Sequence, residues 1–477
     1  MDQSNSSIGE ARQPQLRDFS FFGFDDLESE LRRQVKRVEI RGGTPTISTI
    51  EDYVYVPVDQ ATFQRRDRES LVQEPSREQA ETTSPSHTID ADVVYLGWLF
   101  SHYGHFLMQS LARVWYLTEV DPSVKVIFHA ANPEQSRPTS WAQRMLTAFG
   151  IPPERVLNPE EPVRIKRLIV PEPLFAPRSV ADDHTVRVHE AMAKPYLDLA
   201  ARVAGDARAT EQPLYLSRRR LPSSQRLIIG EAQLEDVLQR QGFRIAYPET
   251  MSFEEQVRLI NSHTDIFSNA GSAAQNVLFA LHAPKLHLLT SGAQFSPDYF
   301  MHKTLVGSPT TFINGLNTGG RANFPKARKV TPHLVDMATC VAYLDRHGFL
   351  NEPPAVSLDA EGELRDEYDE AWLYGYIRVA SRKAELPRDI EREALQLASR
   401  SWPLSIVLAR YYIRHDPVRV DELGHQFANL AAAEGDPERL RRYAREVLEM
   451  APLVVHRASP PASQAMQDVF TNRFQRA

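Results

Sequence analysis

The strongest constraint in this chain is a rhythm between residues 214 and 290, where short apolar runs alternate with amphipathic segments of about ten residues. Residues 214–217 form an apolar run that leads into Arg218, Arg219 and Arg220. Residues 231–240 carry helical periodicity, Gly242 stops them, and 243–247 predicts a second strand. Ser252 with Glu255 predicts a capping box, in which each side chain satisfies a backbone N–H left open by the helix start. Residues 264–269 predict a third strand, Ala270-Gly271-Ser272 a tight turn, 273–281 a helix and 285–290 a fourth strand. Strands alternating with helices imply a parallel sheet of βαβ units. Ligands of such sheets bind at the carboxyl ends of the strands.

The same style of pattern precedes this stretch. Strands are expected at 38–40, 46–50, 53–58, 92–99, 124–129 and 167–170, with helices at 27–38, 105–118, 141–149 and 182–203. Residues 64–86, rich in Arg, Glu, Gln, Ser and Pro, read as a loop or insert. From Pro353 the character changes to successive amphipathic helices at 363–383, 391–400, 404–413, 418–433 and 437–450. The chain of 477 residues therefore divides into a disordered tail over 1–20, an α/β domain over 21–200, a second α/β domain over 201–352 and a helical extension over 353–477. The extension suits packing or protein contacts better than chemistry.

Composition removes several function classes. A net charge of −7 argues against a nucleic-acid binder. The single cysteine, Cys340, rules out an internal disulfide framework and fits a reducing compartment; its apolar neighbours predict a helix core position. No apolar run approaches the roughly 18 residues needed to span a bilayer, and the N-terminus has no apolar signal core. A cytoplasmic protein is expected, at most peripheral at the inner face of a membrane.

Three constellations stand at expected strand ends. His102-Tyr103-Gly104-His105 lies between an apolar strand and a helix along which His105, Gln109 and Arg113 recur at four-residue spacing as a polar stripe. A histidine at a helix start is held neutral by the positive end of the dipole, which suits a general base. No third ligand stands nearby for a metal. Ser217-Arg218-Arg219-Arg220, with Arg226 and Glu231 downstream, supplies planar forks that match a diphosphate. Ser268 to Asn276 places Gly271 and small residues at a helix start, a turn that admits an anion but is neither a Walker loop nor a dinucleotide fingerprint. Asp90-Ala91-Asp92, a spacing that elsewhere holds a metal-bound diphosphate, opens a strand and reads as chance.

In this order the blocks resemble glycosyltransferase family 61. His102-Tyr103-Gly104-His105-Phe106-Leu107 with Arg113 and Trp115 is similar to its His-x-x-Gly-His-Phe block, and Leu214-Tyr215-Leu216-Ser217-Arg218-Arg219 with Arg226 and Glu231 to its tyrosine–serine–arginine strand. Phe253-Glu254-Glu255-Gln256, Gly271 and Asn276-Val277-Leu278-Phe279 resemble its last block. Coverage runs from about 92 to 290. Two positions depart from the family: Gly230 stands where it has asparagine, and Ala270 where it has histidine.

The resemblance implies a GT-B-like α/β architecture, two Rossmann-like domains facing a cleft, with the C-terminal helices outside it. It implies an inverting, metal-independent transferase with no cofactor, a nucleotide-sugar as donor and a glycan or glycolipid hydroxyl as acceptor. His105 or His102 would be the base, with Tyr103, Gln109 and Arg113 on the acceptor side. Arg218, Arg219, Arg226, Gly271, Ser272 and Asn276 would hold the donor diphosphate, and Glu231 the ribose hydroxyls. Two rival readings keep the fold: a nucleotide-sugar epimerase or hydrolase, and a non-catalytic member whose helical tail serves assembly.

Overall fold

Apolar runs bounded by glycine and proline form short, deeply buried strands here, because a strand covered on both faces needs no polar alternation. The structure, a computed structural model, describes residues 20–23, 37–57, 83–130, 137–176, 185–205, 208–221, 227–291, 299–321, 331–352, 358–380, 386–398, 401–415 and 419. The tail over 1–19, most of the expected helix over 27–38, most of the insert over 64–86, Arg226 and the last two expected helices lie outside the described residues.

The chain divides into two units. The first comprises Met1–Arg220, Glu235–Gly315 and Met337–Glu352. Its six-stranded sheet runs in the order Phe21–Gly23, Thr310–Ile313, Lys285–Leu289, Asp265–Asn269, Leu214–Leu216 and Arg244–Ala246. Only the Phe21–Gly23 pairing is antiparallel. A five-stranded sheet orders Ile47–Tyr55, Val163–Pro171, His87–Leu99, Lys125–Ala130 and Val156–Leu157, antiparallel at its first pair and parallel thereafter. The chain is thus a mixed α/β protein with parallel sheets.

The expected elements around the second of the three constellations appear with small shifts. Helix Glu231–Arg240 ends before Gly242, whose φ of +85° is the left-handed conformation that favours glycine. Ser252 and Glu255 form the reciprocal capping box at the start of Phe253–Asn261. Cys340 is buried in helix Met337–Arg346. The element groups share one apolar cluster, in which Phe106, Leu107 and Leu111 pack with Val257, Leu278 and Phe279. Phe279 is fully buried, with Tyr196 at 5.3 Å and Phe253 at 5.0 Å between ring centroids. Burying one such ring contributes about 1.5–3 kcal/mol.

Two helices expected from the sequence take other forms. Residues 185–189 are a strand, not the first turns of a helix over 182–203: Val186 and Val188 alternate with Thr185, Arg187 and His189 and pair with Arg37–Arg41. The helix that follows is Ala193–Ala204, where Pro195 stands in the first turn and its missing N–H forfeits no intrahelical bond. The continuous α-helix expected over 105–118 is broken into an α turn at Tyr103–His105, a π segment at Phe106–Ser110 and a 3-10 segment at Val114–Thr118. Ser110 explains part of the widening. Its hydroxyl donates to Trp98 O at 2.7 Å and accepts from Phe100 N at 3.0 Å, which ties the segment to the preceding strand.

The second unit comprises Leu221–Leu234, Leu316–Asp336 and Pro353–Ala477. Helices Leu358–Ala380, Arg388–Ala398 and Trp402–His415 realise the helical extension as far as it is described. They pack around Tyr368, Trp372, Leu404, Leu408 and Tyr412. Arg321 staples two of these helices, donating to Asp369 at 2.6 Å and pairing with Glu393, while its guanidinium lies 4.8 Å from the Trp372 ring centroid. Among the described residues, no helix is long and apolar enough to cross a membrane.

Candidate active site

Strands Leu214–Leu216 and Asp265–Asn269 are parallel neighbours, so the turns that follow them emerge at the same edge of the sheet. One turn carries the arginines and the other carries Gly271. The register pairs Leu216 with Ser268, which places Ser217-Arg218 beside Asn269-Ala270-Gly271. Gly271 has φ −165° and ψ −174°, extended backbone open to any residue. Space, not conformation, is what the glycine supplies: a Cβ there would stand 2.7 Å from Arg218 Nη1 and would displace that guanidinium. The guanidinium of Arg218 therefore lies directly against the start of helix Ser272–Phe279.

The other arginines are held differently. Arg219 Nη1 donates to Glu235 Oε2 at 3.0 Å, and the guanidinium of Arg220 lies 4.0 Å from the Tyr247 ring centroid. Among the three, only Arg218 is directed at the Gly271 turn.

The histidine turn meets the same helix. Gly104, between Tyr103 and His105, is so close to Ser272 that a Cβ on it would stand 3.3 Å from Ser272 Cβ. The Tyr103 hydroxyl donates to Asn276 Oδ1 at 2.5 Å, Asn276 Nδ2 donates to Gln256 Oε1 at 2.6 Å, and Gln256 Nε2 donates to Pro248 O at 2.9 Å. Enclosure of the phenol raises its pKa well above the usual tyrosine value, against the opposing effect of the Asn276 bond, so Tyr103 stays a protonated donor. His102 is exposed and His105 half-buried, with ring centroids 5.2 Å apart; the Phe100 ring backs His105 at 5.4 Å. His102, His105, Ser272, Gly271 and Arg218 thus belong to one neighbourhood.

Several expected site residues do other work. Tyr103 and Asn276, placed by the sequence on acceptor and donor sides, bind each other and join the histidine turn to the helix. Gln109 and Arg113 are 3% and 1% exposed, beneath the surface and not on a polar stripe, because the π segment breaks the four-residue spacing. Arg113 Nε donates to Pro171 O at 2.7 Å and its guanidinium lies 5.5 Å from the Tyr95 ring centroid. Arg219 is an ion-pair partner of Glu235. Glu231 opens helix Glu231–Arg240, is 3% exposed and belongs to the second unit. Arg226 lies outside the described residues. The Asp-x-Asp pair is engaged in surface ion pairs, Asp90 with Lys166 at 2.7 Å and Asp92 with Arg167.

Sequence reasoning missed Glu235, Tyr247 and His302. Helical periodicity puts Glu235 beside Leu234 and Leu238 but carries no signal of its partners, which stand on other elements. His302 is fully buried, and its Nε2 donates to Gln275 Oε1 at 2.9 Å, bracing helix Ser272–Phe279 from behind.

Burial pushes the His302 pKa from 6.5 down to about 3. Between those two values the unfolded chain takes up a proton that the folded chain excludes. The contribution to stability is therefore whole above pH 6.5 and is lost as pH falls toward 3, at up to about 1.4 kcal/mol per unit. The melting temperature of wild type is expected to drop more steeply from pH 7 to pH 4 than that of His302→Asn, which keeps a donor and cannot titrate. Parallel profiles would remove His302 as the cause.

Residues 103–289 match the family model described as Glycosyltransferase 61. The matched stretch begins at the histidine turn and ends with the strand Lys285–Leu289, so it contains both turns of the site. This stretch is a glycosyltransferase 61 domain. No curated protein matches the chain. The match supports a transferase, and the family implies a sugar donor and a glycan acceptor. Of the chain's two departures from the family pattern, Gly230 has a φ of +85°, a value that favours glycine and that asparagine visits occasionally, and a Cβ there would stand 3.3 Å from Val335 Cβ.

Proposed function

We propose that the protein is an inverting glycosyltransferase that moves a sugar from a nucleotide-sugar to a hydroxyl of a cell-surface glycan or glycolipid. The observation that carries this reading is the packing of Arg218 on Gly271, at the head of the helix that also receives the histidine turn. A cation and an imidazole pair then flank one short stretch of backbone. In a GT-B-like arrangement the five-stranded sheet serves the acceptor and the six-stranded sheet the donor.

In this reading His105 or His102 accepts the proton of the acceptor hydroxyl. The oxygen forms a bond to the anomeric carbon from the face opposite the diphosphate, and the bond from that carbon to the diphosphate oxygen breaks. The electron pair leaves with the nucleoside diphosphate. Arg218 neutralises the charge that develops there, and the first N–H groups after Gly271 add donors. The leaving group is then stabilised without a metal or other cofactor. A cytoplasmic location, at most peripheral to a membrane, belongs to the same proposal and is supported by the single, buried cysteine.

A thermal-shift screen with UDP, GDP and CMP, followed by product analysis of the matching nucleotide-sugars with and without glycan acceptors, tests this. Transfer to an acceptor supports it. Isomerised or hydrolysed donor with no acceptor product points to an epimerase or hydrolase, and no stabilisation by any nucleotide points to a non-catalytic role.

Gly271→Ala probes the decisive contact. The atom that the new methyl meets is the far end of a flexible side chain, so the melting temperature is expected to stay close to wild type. The displaced guanidinium loses charge-assisted bonds worth about 1.5–3 kcal/mol, and nucleoside diphosphate affinity is expected to fall about tenfold or more. Unchanged affinity, measured by calorimetry, would detach Arg218 from the donor.

A further inference from the structure

The Ser-Arg-Arg-Arg turn is more organised than a solvated charge run requires. Its organiser is Glu235, whose side chain is 5% exposed while that of its ion-pair partner Arg219 is 54% exposed. Ser217 Oγ donates to Glu235 Oε1 at 2.6 Å. Arg219 Nη1 and the Tyr247 hydroxyl donate to Oε2 at 3.0 and 2.9 Å. The Arg219 backbone N–H donates in turn to Ser217 Oγ at 3.0 Å, and Arg220 stacks over the Tyr247 ring.

A carboxylate taken out of water is tolerated only where its lone pairs are met by donors. Here the donors come from the end of the strand Leu214–Leu216, from the arginine turn, and from the residue following the strand Arg244–Ala246. Residues 217 and 219 are drawn to the carboxylate together. Arg218 stands between them, just before the turn at 219–220. Its head goes to the Gly271 turn, where Nη1 would be 2.7 Å from a Cβ.

We propose that Glu235 is a positioning residue: it holds Ser217 and Arg219 so that Arg218 presents its guanidinium to the diphosphate of the donor. This rests on the donor-site reading given above. Glu235 touches no substrate in this scheme and acts through Arg218 alone.

The test is a binding cycle on the full-length chain, with inorganic pyrophosphate, UDP and GDP as probes in calorimetry. Glu235→Gln keeps size and one acceptor but loses the charge and one of the two acceptor oxygens. It is expected to weaken wild-type diphosphate affinity about tenfold and to add no further loss in an Arg218→Ala background. A purely structural role would lower both backgrounds equally, and that additivity would overturn the proposal, as would wild-type affinity in Glu235→Gln. Should Glu235→Gln fail to fold, Tyr247→Phe, which removes one donor to the carboxylate, carries the test with an expected loss of about threefold, again absent in the Arg218→Ala background. Absence of diphosphate binding by the wild-type chain would overturn the donor site and this inference together; binding with additive losses overturns this inference alone.

Discussion

Arg218→Ala is expected to lower turnover about 100- to 1,000-fold, which corresponds to about 2.7–4 kcal/mol for a donor that stabilises charge as it develops. The loss falls mainly on kcat, because the diphosphate carries more charge when it departs than when the sugar is attached. Arg218→Lys is expected to recover only part of the rate, since an ammonium keeps the charge and loses the planar fork. The side chain is half-buried at a turn and not part of the apolar core, so the melting temperature of both variants is expected to remain near wild type. Steady-state kinetics with the donor found by screening decides the matter. Near-wild-type turnover in Arg218→Ala would remove it from the mechanism.

Loss of the catalytic base is expected to cost about 100- to 10,000-fold in kcat, the usual span for general base catalysis. His102→Ala and His105→Ala made singly assign the role. The residue that serves as base loses the acid limb of its pH–rate profile on removal, because no imidazole is left to protonate and shut the reaction down. The other variant keeps that limb and changes rate far less. His105 is backed by Phe100 and half-buried, whereas His102 is exposed and its carbonyl accepts the Phe106 N–H. If neither variant loses tenfold, the histidine turn is not the source of the base.

The parallel sheet was legible because its information is local. Each strand between 214 and 290 is a short apolar run, the helix Phe253–Asn261 carries its own capping box, and Gly242 marks the stop of the helix before it. The replacement of asparagine by Gly230 shows the same locality, since a left-handed φ leaves few residue choices. What could not be read off was set across distance. Tyr103 and Asn276 are 173 positions apart, and nothing in either neighbourhood marks them as partners. The π segment at Phe106–Ser110 depends on Ser110 reaching back to Trp98 O, a tertiary bond that outweighs a regular helical pattern. Glu235 carries no mark of its own in the helical pattern, and the three donors that converge on it stand on other elements. The strand at Thr185–His189 was hidden by a different cause: its two valines fit either periodicity, and the partner Arg37–Arg41 decided between them.

The pairing of Phe21–Gly23 with Thr310–Ile313 has a kinetic meaning. The first strand of the six-stranded sheet to be synthesised has its partner only after the whole site-bearing sequence has been made. Until then the Phe21–Gly23 strand offers unpaired backbone groups, which favour pairing with other chains. Closing so long a loop is slow, since its entropy must be met before the contact repays it. The edge of this sheet is thus completed last, and the nascent chain passes through a stage in which that edge is open.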